Sequence, residues 1–69
     1  MKNVFAGRLK ELRLESGLGQ VVLSEKLGVS KGVISLWENG LREPSMSSIV
    51  AIARFFAVSA DYLLGLAAD

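Results

Sequence analysis

Residues 20–40, QVVLSEKLGVSKGVISLWENG, decide the architecture of this chain. Leu23, Leu27, Val29, Ile34 and Trp37 are its large apolar positions, and their spacing suits two short helices that cross over one small core. Ser24 lies between Leu23 and Leu27, where a small side chain lets the second helix approach closely. Gly28 closes the first helix, because the residue past a helix C-terminus often takes a positive φ that only glycine adopts without cost. Ser30 offers a hydroxyl to cap the next helix, which ends at Gly40.

Two helices joined by so tight a turn have the layout of a helix-turn-helix, whose second helix enters the major groove of DNA. RLKELRLESGLGQ from residue 8, LSEKLGVSKGVISLWENG from residue 23, the Pro-Ser pair at 44–45 and VSADYLLG from residue 58 together resemble the Cro and repressor type of helix-turn-helix protein. The resemblance runs over about residues 8–66, and LGVS followed by the WENG ending is its most specific part. It implies an all-α, compact five-helix domain, double-stranded DNA as partner and a role in transcription regulation.

Length and composition agree with this. The 69 residues are expected to form one domain, 1–69, with the helix-turn-helix at about 20–39 and little core to spare. There is no cysteine, hence no disulfide framework and no thiolate metal site. There is no histidine, which removes the commonest general base and zinc ligand, and no cluster of Asp, Glu and Ser suggests an activated nucleophile. No enzyme, cofactor, metal or small-molecule site is expected. No apolar run approaches the roughly 18 residues of a membrane span and no signal-peptide pattern opens the chain, so the cytoplasm is the simplest location. The net charge of +1 is nearly balanced, so any basic footprint toward phosphate must be local.

Along the chain five helices and no strands are expected. Asn3 can cap a first helix from about Val4 to Ser16, burying Phe5, Leu9 and Leu12, with Gly17 ending it. Further helices span about Gln20 to Leu27 and Lys31 to Asn39. Ser45 caps a fourth from Met46 to Phe56, whose inward face is Ile49, Ile52, Ala53 and Phe56. Ser59 caps a short fifth that carries Leu63 inward and stops near Gly65.

With Ile34 and Trp37 inward, a rotation of about 100° per residue turns Gly32, Ser35, Leu36 and Asn39 outward, with Lys31 and Val33 on the flanks. In the resembled family the positions of Lys31, Gly32, Ser35 and Leu36 are the usual base readers. Lys31 can donate to guanine, Ser35 can donate or accept, and Leu36 can touch a thymine methyl or be a plain surface residue. Gly32 can only permit close approach. Polar residues are more usual at Gly32 and Leu36, which shifts weight toward DNA shape and deformability. The resemblance assigns phosphate binding to Gln20 at the start of the second helix, Asn39 and Arg42, although Gly19 replaces a usual capping residue and Glu43 weakens the field of Arg42. It also implies a bidentate Arg13–Glu38 bridge orienting the recognition helix, with Arg13 reaching phosphate only secondarily.

Hydrophobic residues make up 51% of the chain and mean hydropathy is +0.40, high for so small a domain. Val21 and Val22 stand where the family more often has charge. Phe55, Val58, Tyr62 and Leu66 are expected to form an apolar patch around the last two helices, where this family commonly dimerises; otherwise Phe55 and Tyr62 close the core. Two functional readings follow. The first is a sequence-specific transcriptional regulator, a repressor, acting as a homodimer on a two-fold symmetric operator. The second is a protein-interaction module of antitoxin-like or anti-repressor type, using Val21, Val22, Val33 and Leu36.

Overall fold

Helices occupy Val4–Glu15 (α1), Gln20–Leu27 (α2), Lys31–Glu38 (α3), Met46–Phe56 (α4) and Ala60–Leu64 (α5). The computed structural model describes residues 4–68, and no strand occurs among them. Asn3, the expected cap of α1, lies outside the described residues. The last helical residues, Glu15 and Glu38, each fall one short of the expected ends at Ser16 and Asn39.

Most boundaries have a local chemical cause. Ser30, Ser45 and Ser59 precede α3, α4 and α5, and their hydroxyls accept from the N–H groups of Val33, Ser48 and Tyr62 at 3.2, 3.2 and 2.9 Å. Gly19, before α2, has no side chain to do the same. Gly28 adopts φ 72° at the α2–α3 turn, while the Val29 N–H returns to the Ser24 carbonyl at 3.0 Å. At Gly65, φ is 80° and a Cβ would lie 3.1 Å from that of Val4, so both the turn and the packing of α1 require glycine there. Ala57 takes φ 56° without being glycine, held by the Val58 N–H reaching the Ala53 carbonyl at 3.0 Å.

The core gathers Phe5 and Leu9 of α1, Leu23 of α2, Ile34 and Trp37 of α3, Ile49 and Ile52 of α4, and Leu63 of α5. Phe5 meets Trp37 edge-on with centroids 6.2 Å apart. Ser24 is buried where α2 crosses α3, and its hydroxyl is satisfied by the Val21 carbonyl at 2.6 Å. Arg8 ties α1 to the end of α5: its guanidinium donates to the carbonyls of Tyr62 and Ala67 and stacks 4.4 Å over the Tyr62 ring.

That clasp changes the expected apolar patch. Tyr62 is half-buried beneath Arg8, and Val58 packs against the core, because α5 folds back on α1. Only Phe55, 40% exposed and edge-on to Phe56, and Leu66, 75% exposed, stay open. The four therefore do not form one open surface. An apolar cleft of about 350 Å³ opens instead between α4 and α5, lined by Pro44, Met46, Ile49, Val50, Ala60 and Leu64. Val50 and Phe55 are five residues apart, about 140° around the α4 axis, so cleft and Phe55 occupy opposite flanks.

Candidate nucleic-acid interface

α3 is amphipathic: Ile34 and Trp37 are buried, the opposite side carries Gly32, Ser35 and Leu36, and Lys31 stands on its flank. Lys31 and Gly32 are exposed, Ser35 and Leu36 half-buried. Val33, on the flank, packs against the core. Nothing in the fold requires glycine at residue 32, because a Cβ there would approach only the Ser30 Oγ, at 4.0 Å. Its bare backbone is thus a feature of the outer surface.

Asn39 caps the C-terminus of α3, with its Nδ2 donating to the Ser35 carbonyl at 2.8 Å and to the Ser35 Oγ at 3.3 Å. The Ser35 oxygen accepts from Asn39, so its own proton can point outward to an acceptor. Arg42 is exposed in the loop after α3, and neither it nor Lys31 makes an ion pair with any described residue. Both keep their charge available for an anion.

Behind this surface lies a polar cluster. Arg13 donates from Nε to Glu38 Oε2 at 2.6 Å, from Nη2 to Oε1 at 3.0 Å, and from Nη1 to the Leu18 carbonyl at 2.9 Å. The side chains are 10% and 3% exposed, so the fork is desolvated and three of the five guanidinium N–H groups are committed inside the domain. Hydrogen bonding to Glu38 raises the Arg13 pKa above its ordinary value, against the opposing effect of burial. The Gln20 Nε2 also donates to Glu38 Oε1, at 3.2 Å. The sequence carries no signal for this contact or for the Leu18 carbonyl, since both depend on how α1, α2 and α3 cross.

Gln20 stands at the first turn of α2, whose N–H groups receive no side-chain cap and no acidic neighbour in that turn. Uncapped N–H groups carry the positive end of the helix dipole. The start of α2 thus meets the end of α3 through Gln20 and Glu38, while Lys31 and Arg42 stay exposed and unpaired among the described residues.

The helix-turn-helix family model matches residues 9–63. The chain belongs to the helix-turn-helix family. It is 43% identical over 60 residues to the HTH-type transcriptional activator BcrR of Enterococcus faecalis, covering 87% of this chain and 29% of that protein. It is 35% identical over 66 residues to the HTH-type transcriptional regulator YobD of Bacillus subtilis, covering 96% and 59%. The chain therefore spans less than two thirds of the length of these relatives. Among solved structures, the P22 c2 repressor in complex with a synthetic operator superposes with a TM-score of 0.87 at 29% identity, over 96% of this chain and 100% of that one. The match extends the family assignment to the repressor-like, five-helix fold. No described helix is long and apolar enough to cross a membrane.

Proposed function

We propose that this helix-turn-helix domain is a sequence-specific DNA-binding transcriptional regulator, a repressor, that sets α3 into the major groove as a homodimer. The observation that carries the reading is the near-complete superposition on a repressor bound to its operator, with an outer α3 face of Lys31, Gly32, Ser35 and Leu36. Lys31 donates to guanine O6 and N7, Ser35 donates to a base acceptor, and Leu36 packs on a thymine methyl. Gly32 lets the backbone come close. Gln20 and Arg42 hold phosphates on either side, and Asn39 contacts a phosphate by turning its Nδ2 away from Ser35.

The homodimer contact lies on the cleft between α4 and α5, where Pro44, Met46, Val50 and Leu64 converge; the Phe55 flank supports it less, with Val58 and Tyr62 already packed inward. As a regulator the chain works where the genome is, in the cytoplasm of a bacterial or phage-infected cell. Titration of wild-type protein into duplex DNA over a range of salt tests the reading: affinity should fall steeply as salt rises, because neutralised phosphates release counterions. Salt-independent or absent binding would leave the protein-interaction reading in its place.

A further inference from the structure

We infer that Glu38 is the positioning residue that fixes the Gln20 amide for phosphate, and that Arg13 makes this possible by neutralising Glu38. The inference rests on the DNA reading above.

A carboxylate has no donor, so it accepts only from the NH₂ end of the Gln20 amide. The 3.2 Å bond from Gln20 Nε2 to Glu38 Oε1 therefore decides which way round the amide stands. One N–H is spent on Glu38, and the other projects away from it. That second N–H is the donor left for a phosphate. Gln20 makes no other side-chain hydrogen bond with the described residues, so this one contact sets its orientation.

A carboxylate next to a phosphate contact is ordinarily a liability, because like charges repel. Here Arg13 holds both oxygens of Glu38, at 2.6 and 3.0 Å, and a third bond to the Leu18 carbonyl holds the guanidinium in place. The pair presents little net charge to an approaching anion, yet Oε1 still accepts from Gln20. The bridge thereby serves α2 as well as α3: it ties the start of one helix to the end of the other, so that phosphate and base contacts keep a fixed spacing.

A double-mutant cycle on affinity for a duplex of unrelated sequence separates this role from simple support of the fold. Gln20→Ala should weaken binding on the order of tenfold per subunit in the wild-type background, the cost of one charge-assisted hydrogen bond. In the Glu38→Ala background the same change should cost less than about twofold, because the amide is no longer oriented. Equal losses in both backgrounds overturn the positioning role while leaving the DNA reading intact. A wild type that binds no duplex overturns both. Should Glu38→Ala fail to fold, the wild type alone decides. Gln20 is the sole glutamine of the chain, so its side-chain amide gives one assignable NMR pair. Its order parameter should match that of the rigid backbone before DNA is added. An amide that is mobile in the free protein and ordered only by DNA would overturn the inference.

Discussion

At the scale of single residues, a desolvated ion pair joins α1 to α3. Removing Glu38 alone strands the Arg13 guanidinium with only the Leu18 carbonyl, and breaking a buried pair in this way costs about 3–5 kcal/mol. Glu38→Ala should therefore lower the denaturant midpoint far more than a surface substitution such as Glu43→Ala, and equal midpoints in the two variants would contradict the buried bridge. The bridge should also be insensitive to ordinary pH. Because the folded Arg13 pKa is raised, its stabilisation is fully present below the unfolded value and is lost only as pH climbs through the higher folded one. With no histidine or cysteine in the chain, no side chain has an ordinary pKa between about pH 6 and pH 8, so unfolding free energy should change little with pH there beyond any effect of the α-amino group; a steep slope that survives acetylation of the α-amino group would contradict it. The Arg13–Glu38 pairing was legible through family resemblance, since both residues belong to matched motifs. The Gln20 contact and the Arg8 clasp were not, because each depends on where a distant helix passes, which no local pattern encodes.

At the scale of elements, the caps were legible and one of the turns was not. Serine before a helix and glycine after it carry their own conformational preference, so the starts of α3, α4 and α5 and the turn at Gly28 follow from residue type. Alanine has no left-handed preference, and nothing local marks Ala57; tertiary packing imposes its φ of 56°. Ala57→Gly should relieve that strain and raise stability by about 0.5–1 kcal/mol, read by chemical denaturation. A loss of stability there would mean that the alanine methyl contributes packing worth more than the strain. The two helical glycines make a second comparison. Neither has a close neighbour for an added Cβ, so Gly7→Ala should stabilise by about 1 kcal/mol and Gly32→Ala, in the first turn of α3, by less. Only the change at Gly32 should weaken DNA binding, because only that methyl would stand on the outer face of α3. Equal DNA affinity for both variants would remove Gly32 from the contact surface.

At the scale of the whole molecule, charge and shape set what the domain does. A net charge of +1 cannot pull a duplex in by itself, so the unpaired Lys31 and Arg42 must act locally. Arg42→Ala should accordingly make the salt dependence of binding shallower by about one counterion while leaving sequence preference unchanged. The domain measures 28 × 24 × 21 Å, narrower than the roughly 34 Å of one DNA turn, so two copies side by side can set their α3 helices one turn apart on one face. The cleft that would join them was not legible, since it arises from the way α5 lies along the Val50 flank of α4. Val50→Glu would place an unpaired charge in that contact and should convert a dimer to a folded monomer in sedimentation; Phe55→Glu, on the opposite flank, should not. A monomeric wild type, or dimer loss with Phe55→Glu alone, would contradict this placement. The central claim, that α3 reads sequence in the major groove as one half of a symmetric pair, is tested most directly by selecting bound duplexes from a random DNA pool. A two-fold symmetric sequence with half-sites about one helical turn apart should be enriched; a pool that emerges without any enriched sequence would contradict the claim.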